Sequence, residues 1–167
     1  MRYLYKKTKK NDESEFSGEL IVEVFTPKIL GKLTLKGEKK SFKLLAVRFW
    51  FQIITHGKAK IYYIRQGENL VHTSYVVPKC YKFSFLNTND YEIGPCFTYP
   101  EYRGKGVYPF VLKKICNSVG CDDTTFYMSV NESNISSIKG IEKAGFIKYG
   151  IVNVSKITKR YYLEKTL

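Results

Sequence analysis

The chain has 167 residues, 44% of them hydrophobic, and carries 28 Lys and Arg against 15 Asp and Glu for a formal charge of +13. That length fits one domain with a buried core, and the hydrophobic content argues against a disordered chain. No apolar run reaches the ~18 residues of a transmembrane helix, and the basic N-terminus lacks the apolar segment of a secretory signal.

Residues 1–18 read as polar chain with a turn at Asn11-Asp12-Glu13-Ser14. Glu19 to Thr26 alternates and reads as a strand. A basic connector follows over residues 27–40. Ser41 is a helix N-cap, and the helix runs to about Thr55 and closes at Gly57. Its apolar face is wide (Leu44, Leu45, Val47, Phe49, Trp50, Phe51, Ile53, Ile54), which predicts either general burial or a cover over a substrate groove. Lys58–Arg65 and Leu70–Val77 form a hairpin pattern around Gln66-Gly67-Glu68-Asn69, and residues 79–90 form a loop rich in Tyr and Phe.

Tyr91–Thr98 is the next strand. Gly94-Pro95 in its middle disturbs pairing, because proline donates no ladder hydrogen bond, and a bulge is expected there. Val107–Val119 is an amphipathic helix with Pro109 in its first turn, closed by Gly120. Thr124–Val130 is a strand and Asn134–Lys143 a second amphipathic helix, with Gly145 just beyond its end. Residues 146–155 and 159–165 make a final strand pair. Neither an internal repeat nor a linker interrupts the chain, so residues 1–167 are expected to form a single domain.

Four cysteines without a CxxC pair, beside only two histidines, argue against a zinc site, so no metal ligands are expected. The cysteines read as free thiols in a reducing compartment, which predicts a cytoplasmic location. The lysines are dispersed and the aromatics do not interleave with arginines, so nucleic acid is not expected as a partner.

The densest chemical signal is Tyr99-Pro100-Glu101-Tyr102-Arg103-Gly104-Lys105-Gly106, between a strand and a helix. A loop bare of side chains at a helix start presents backbone N–H groups and the positive end of the helix dipole. Arg103 and Lys105 add full charges. The segment reads as a phosphate or pyrophosphate cradle, or else as an ordinary strand–turn–helix junction. Arg103-Gly104-Lys105-Gly106, followed after a further strand by Asn134-Ile135-Ser136-Ser137-Ile138-Lys139-Gly140-Ile141-Glu142-Lys143-Ala144-Gly145-Phe146, resembles the GNAT superfamily of acyl-CoA-dependent N-acyltransferases. The first segment matches that family's (Gln/Arg)-x-x-Gly-x-(Gly/Ala) pyrophosphate motif and the second its Asn-led helix. The segments Val71-His72-Thr73-Ser74, Pro78-Lys79-Cys80, Ile93-Gly94-Pro95-Cys96 and Gly106-Val107-Tyr108-Pro109 also resemble a narrower GNAT-like group associated with bacterial surface-polysaccharide biosynthesis.

The resemblance implies an α/β (α+β) fold: a mixed, mostly antiparallel sheet of about six to seven strands, splayed at its centre and flanked by helices on both faces. It implies an acyl-CoA-binding core over residues 91–148, an N-terminal half over 1–90 that shapes the acceptor site, and C-terminal strands over 149–167. The donor substrate would be acetyl-CoA. Backbone groups of Cys96, Phe97 and Thr98 would pair with the pantetheine amides, with an oxyanion donor near Phe97. The N–H groups of Arg103, Gly104, Lys105, Gly106, Val107 and Tyr108 would hold the pyrophosphate. Asn134 would touch the pantetheine arm or pyrophosphate, or serve only as a helix N-cap. Two departures stand out: Tyr108 occupies a small-residue position of the motif, and Ile141 stands where many relatives place a tyrosine that protonates the leaving thiolate.

Glu92 is the first candidate base, by its spacing ahead of Arg103; its plainer reading is a surface strand carboxylate. His72 is the second, with a plainer reading as a core histidine. His56, before Gly57, reads as a helix-dipole partner, and Tyr81 and Tyr108 are further proton-donor candidates. The leading expectation is an N-acetyltransferase acting on a small-molecule amine, first an amino sugar or nucleotide-linked amino sugar, with a homodimer left open. A protein or peptide amine acceptor, or a noncatalytic CoA- or polyanion-binding module, are the alternatives.

Overall fold

The computed structural model describes residues 1–9, 20–38 and 41–167. The elements in chain order are β1 (Arg2–Thr8), β2 (Val22–Phe25), α1 (Phe42–Ile54), β3 (Lys60–Gln66), β4 (Asn69–Pro78), β5 (Tyr91–Thr98), α2 (Val107–Ser118), β6 (Thr125–Asn131), α3 (Ile135–Lys143), β7 (Ile147–Val154) and β8 (Tyr161–Thr166). The strands form one open eight-stranded sheet in the order β2-β3-β4-β5-β6-β1-β7-β8. Neighbours are antiparallel except β5 and β6. A parallel pair needs a crossover, which α2 supplies; α3 makes a second crossover from β6 to β7, stepping over β1.

The eighth strand is β1, in a stretch that the sequence presents as polar chain. Its charges hide a central strand lying between β6 and β7. Leu4 and Tyr5 are buried. Lys7 is buried too: its Nζ donates to the Ala144 carbonyl at 2.9 Å, capping the C-terminal end of α3. Lys6 lays its ammonium over the Tyr149 ring at 4.0 Å. Both lysines thus spend their charge on tertiary partners that no local pattern announces. The expected Asn11–Ser14 turn lies outside the described residues, as does Glu19, and β2 is shorter than the predicted strand.

Two apolar layers flank the sheet. One packs α2 and α3 against it through Phe110, Val111, Ile115, Ile141 and Phe146, meeting Tyr5, Ile93, Phe126 and Met128. The other gathers Phe51, Ile61, Tyr75, Val77, Phe83 and Leu86 under α1. The broad apolar face of α1 is not generally buried: only Arg48, Phe51 and Gln52 are, while Phe49, Trp50 and Ile53 are 44%, 52% and 43% exposed. A single helix on that side buries one stripe and leaves the rest of its circumference outward.

Arg48 anchors α1. It is fully buried and donates two hydrogen bonds of 2.6 Å to the Glu38 carboxylate, one of 2.8 Å to the Leu33 carbonyl and one of 2.8 Å to the Tyr75 hydroxyl. Ser41 caps the helix by accepting from Leu44 N–H. Removing one member of a buried ion pair strands the other. Arg48→Ala should therefore lower unfolding free energy by about 3–5 kcal/mol in urea titrations, with Arg48→Met in a Glu38→Leu background recovering much of the loss.

Candidate active site

The site begins where two strands part. β5 pairs with β6 only at Tyr91↔Phe126 and Glu92↔Tyr127. Beyond those pairs the strands diverge, while β5 stays on β4 through Thr98. The step from Ile93 to Cys96 on β5 faces the shorter step from Val76 to Ser74 on β4, so Gly94-Pro95, joined by a cis peptide, forms a bulge. Tyr99 N–H donates to the Val71 carbonyl at 3.0 Å. Alternation along the strand then turns the main-chain groups of Phe97 towards β4 and those of Cys96 and Thr98 towards the gap. The Thr98 carbonyl accordingly accepts from Arg103 Nε at 2.9 Å. The Phe97 N–H, near which an oxyanion donor is expected, is thus turned towards β4, because register decides which amides face the opening.

The cradle follows. Gly104 and Gly106 have φ of +75° and +76°, in the left-handed region. A Cβ on Gly104 would meet nothing within 4 Å, so the backbone angle and not lack of space calls for glycine there. No side chain caps the start of α2. The N–H groups of Val107 and Tyr108 are thus left to a ligand, and Pro109 has none to offer.

A cavity of about 560 Å³ joins cradle and gap. Cys96, Phe97, Thr98, Arg103, Gly104, Gly106, Val107, Tyr108 and Asn134 all line it. Lys105 does not; its Nζ lies over the Tyr102 ring at 5.6 Å. Asn134 caps α3, its Oδ1 accepting from Ser137 N–H at 3.2 Å and the Ser136 hydroxyl at 3.1 Å. The sequence reading missed the rest of the α3 wall: Ser136, Ser137, Lys139, Gly140 and Lys143. Ser136, Lys139, Gly140 and Lys143 follow one another at helical spacing, the signal that would have found them.

Tyr108 is wedged between the helices. A Cβ on Gly140 would come within 2.5 Å of Tyr108 Cδ1, so glycine on α3 makes room for the ring. Burial, then the neighbouring Cys96 thiol to which the Tyr108 hydroxyl is hydrogen-bonded, pushes the phenol well above its ordinary range. Burial likewise pushes the Cys96 thiol up to about 12. Ile141 is buried in the core beneath α3.

The two candidate bases lie on opposite faces, since cross-strand partners share a face. His72 stands opposite Ile64 in the layer under α2 and α3. Its Nδ1 and Nε2 are each 2.7 Å from a hydroxyl, those of Thr98 and Ser74, and burial lowers its pKa to about 4. Glu92 stands opposite Val77, in the layer under α1. It is buried at the fork, with Oε2 lacking any hydrogen-bond partner. Its Oε1 reaches forward along the strand, 2.9 Å from where a Gly94 Cβ would be. Burial raises its pKa to about 8, against the opposing pull of Lys82 and Arg2. Glu92 is therefore no surface carboxylate. His56 takes a positive φ of 50° just past the end of α1.

Among the described residues no helix is long and apolar enough to cross a membrane, and no group of three or more His, Cys, Asp or Glu could hold a metal ion.

No protein-family model and no curated protein matches the chain. Solved structures do. A GNAT-family acetyltransferase from Colwellia psychrerythraea superposes with a TM-score of 0.55 at 12% identity, over 88% of this chain and 52% of its own. A GCN5-related N-acetyltransferase from Sphaerobacter thermophilus gives 0.56 at 13%, over 88% of this chain and 48% of its own. The chain thus spans about half the length of these structures, and what it shares with them is the fold: a mixed α/β GNAT-like architecture with an open, mostly antiparallel sheet.

Two outcomes test this geometry. Gly140→Ala should destabilise by about 1–3 kcal/mol, and Tyr108→Ala in the same molecule should remove most of that loss in a double-mutant cycle. The pH dependence has a definite sign. The Glu92 pKa is raised from 4.5 to about 8, so its contribution is full below 4.5 and is lost as pH rises to about 8. The His72 pKa is lowered from 6.5 to about 4, so its contribution is full above 6.5 and is lost as pH falls towards 4. The two oppose each other between 4.5 and 6.5, and Glu92 acts alone between 6.5 and 8. Unfolding free energy should fall across that upper window, and Glu92→Gln should flatten the slope.

Proposed function

We propose that this chain is an acetyl-CoA-dependent N-acetyltransferase that acts by direct attack of a primary amine within a ternary complex. The observation that carries the reading is the fork between β5 and β6, which shares one cavity with the glycine cradle. A CoA thioester is anionic at one end, lined with amides along its arm and electrophilic at the other end. This cavity offers matching groups in that order. The N–H groups of Val107 and Tyr108, with Arg103, suit the pyrophosphate. The unpaired edge at Cys96 and Thr98 suits the pantetheine amides. Lys139 and Lys143 add positive charge along the wall.

Bound there, the thioester supplies an activated acetyl carbonyl. The chain then contributes positioning and proton handling. An alkylammonium has a pKa near ~10.4 and must lose its proton before it attacks. Glu92, at the last rung before the fork opens, takes that proton directly or through water, and its raised pKa brings it nearer to the amine's than an ordinary carboxylate's would be. The gap-facing N–H groups of Cys96 and Thr98 meet the developing oxyanion. Ile141 has no proton to give, but a thiol pKa near ~8.5 makes the thiolate a tolerable leaving group. The Tyr108 hydroxyl, on the cavity wall beside Cys96, is placed to hydrogen-bond it. His72, neutral and tied to hydroxyls on β4 and β5, holds the gap edge of the sheet in place.

The first acceptor reading is an amino sugar or nucleotide-linked amino sugar, supported by the resemblance of residues 71–74, 78–80, 93–96 and 106–109 to the polysaccharide-associated group and by the net charge of +13. Saturating acetyl-CoA should raise the melting temperature, by the equivalent of about 2.7 kcal/mol at a hundredfold excess over Kd. Gly104→Asp should abolish the shift. Glu92→Gln should lower kcat by ~100-fold or more and remove a rise in rate centred near pH 8. Stabilisation by nucleic acid in place of acetyl-CoA, with steep salt dependence, would replace this reading with a polyanion-binding module.

A further inference from the structure

Two cations, Arg2 and Lys82, stand around Glu92 on the face opposite the cofactor cavity, and neither forms an ion pair among the described residues. Arg2, at the start of β1, stands at the register of Asn131, near the open end of the fork. Its guanidinium lies 6.0 Å from the centre of the Tyr161 ring, and its Nε is buried without a hydrogen-bond partner. Lys82 holds its ammonium over the same Tyr161 ring at 5.3 Å, and over Phe51 and Phe83 at 4.9 and 5.1 Å. Among the described residues, neither cation has a carboxylate within ion-pairing distance. Glu92 itself keeps Oε2 unpartnered.

A half-buried lysine and a guanidinium that share one aromatic wall with no carboxylate at ion-pairing distance repel each other and are poorly hydrated. The arrangement would also repel a bare ammonium acceptor on its way to Glu92. It becomes favourable when a dianion bridges the two cations through charge-assisted hydrogen bonds. Tyr161 and the rings of Phe51 and Phe83 hold Lys82 in place for that contact. Arg160, the next residue before Tyr161, lies over the Tyr81 ring at 4.9 Å and also has a buried, unpartnered Nε, which extends the basic surface outward.

We propose that Arg2 and Lys82 bind a phosphoryl group carried by the acceptor, so that the substrate is an amine with a phosphate or phosphodiester on the same molecule. This rests on the acyltransferase reading only in taking Glu92 as the place where the amine arrives.

The test separates the two readings. Inorganic phosphate is titrated calorimetrically into the full chain, into Lys82→Met and Arg2→Gln, and into Gly104→Asp, whose lesion lies in the cofactor cradle. Heat that persists in Gly104→Asp and disappears when either of the first two substitutions is added to it supports the site. Heat that is absent from Gly104→Asp, or that survives in Gly104→Asp when Lys82→Met or Arg2→Gln is added to it, overturns it, whatever the enzyme does. Circular dichroism confirms that each variant is folded, and either one of the two suffices. Where turnover is detected, glucosamine, glucosamine 6-phosphate and a nucleotide-linked amino sugar are compared. The native protein should favour the phosphorylated amines in kcat/KM by at least tenfold, and Lys82→Met should collapse that ratio through KM. Equal use of all three would sink the proposal while leaving acetyl transfer intact; preference between the last two tells a monoester from a diphosphate source.

Discussion

The constraint on which this structure turns is the parting of β5 from β6 after a single pair of rungs. Two parallel strands that separate inside a sheet leave main-chain donors and acceptors without partners, an arrangement that stable proteins keep only where something else satisfies them. Here β5 stays registered on β4, and its bulge at Gly94-Pro95 turns Cys96 and Thr98 to the gap. One of those orphaned groups, the Thr98 carbonyl, is taken up by Arg103, which ties the splayed strand to the glycine loop that follows it. The fork and the cradle are thus one device, and the extended cavity between them is its product.

The gap also passes through the sheet, and it organises the electrostatics of both faces. On the α2 and α3 side the buried polar groups on β4 and β5 beside the fork are neutral and mutually satisfied: His72 between two hydroxyls, the Cys96 thiol with the Tyr108 phenol. That side is preorganised for binding. On the α1 side stands a buried carboxyl with an open oxygen, near two cations that form no ion pair among the described residues. Such unmatched charge is what a fold avoids unless a ligand completes it. In the function proposed above, the division gives each face one task, holding the donor or handling the amine and its proton. It also explains why two residues that look alike as bases in sequence are so unlike in the folded chain.

Around this centre the rest of the molecule is scaffold, with two load paths of different chemistry. The Arg48–Glu38 pair fastens α1 and the segment before it to Tyr75 on β4. Lys7 fastens β1 to the end of α3. Both put a cation in the interior and satisfy it fully, in contrast to Arg2 and Lys82. Tyr108 and Gly140 form a third constraint: a large residue on one helix and the smallest on the other fix how closely α2 and α3 approach beside the cavity.

Much of this was local enough to be legible in the sequence. Periodicity marked α1, α2 and α3 and seven of the strands; Ser41 and Asn134 announced their caps; Gly94-Pro95 announced the disturbance in β5; and Gly104 and Gly106 announced the turn into α2. Each of these depends on backbone angles and on neighbours a few residues away. Tertiary structure alone decided the rest, because it depended on what lies across the sheet. The lysines of β1 looked like a solvated segment until Ala144 and Tyr149 supplied their partners. The apolar width of α1 implied burial, but there was only one layer to bury it in. Which amides of β5 face the gap was set by register, and which of Glu92 and His72 faces the open side was set by the cross-strand partner. Burial, and with it every shifted pKa, follows from packing that no run of residues encodes by itself.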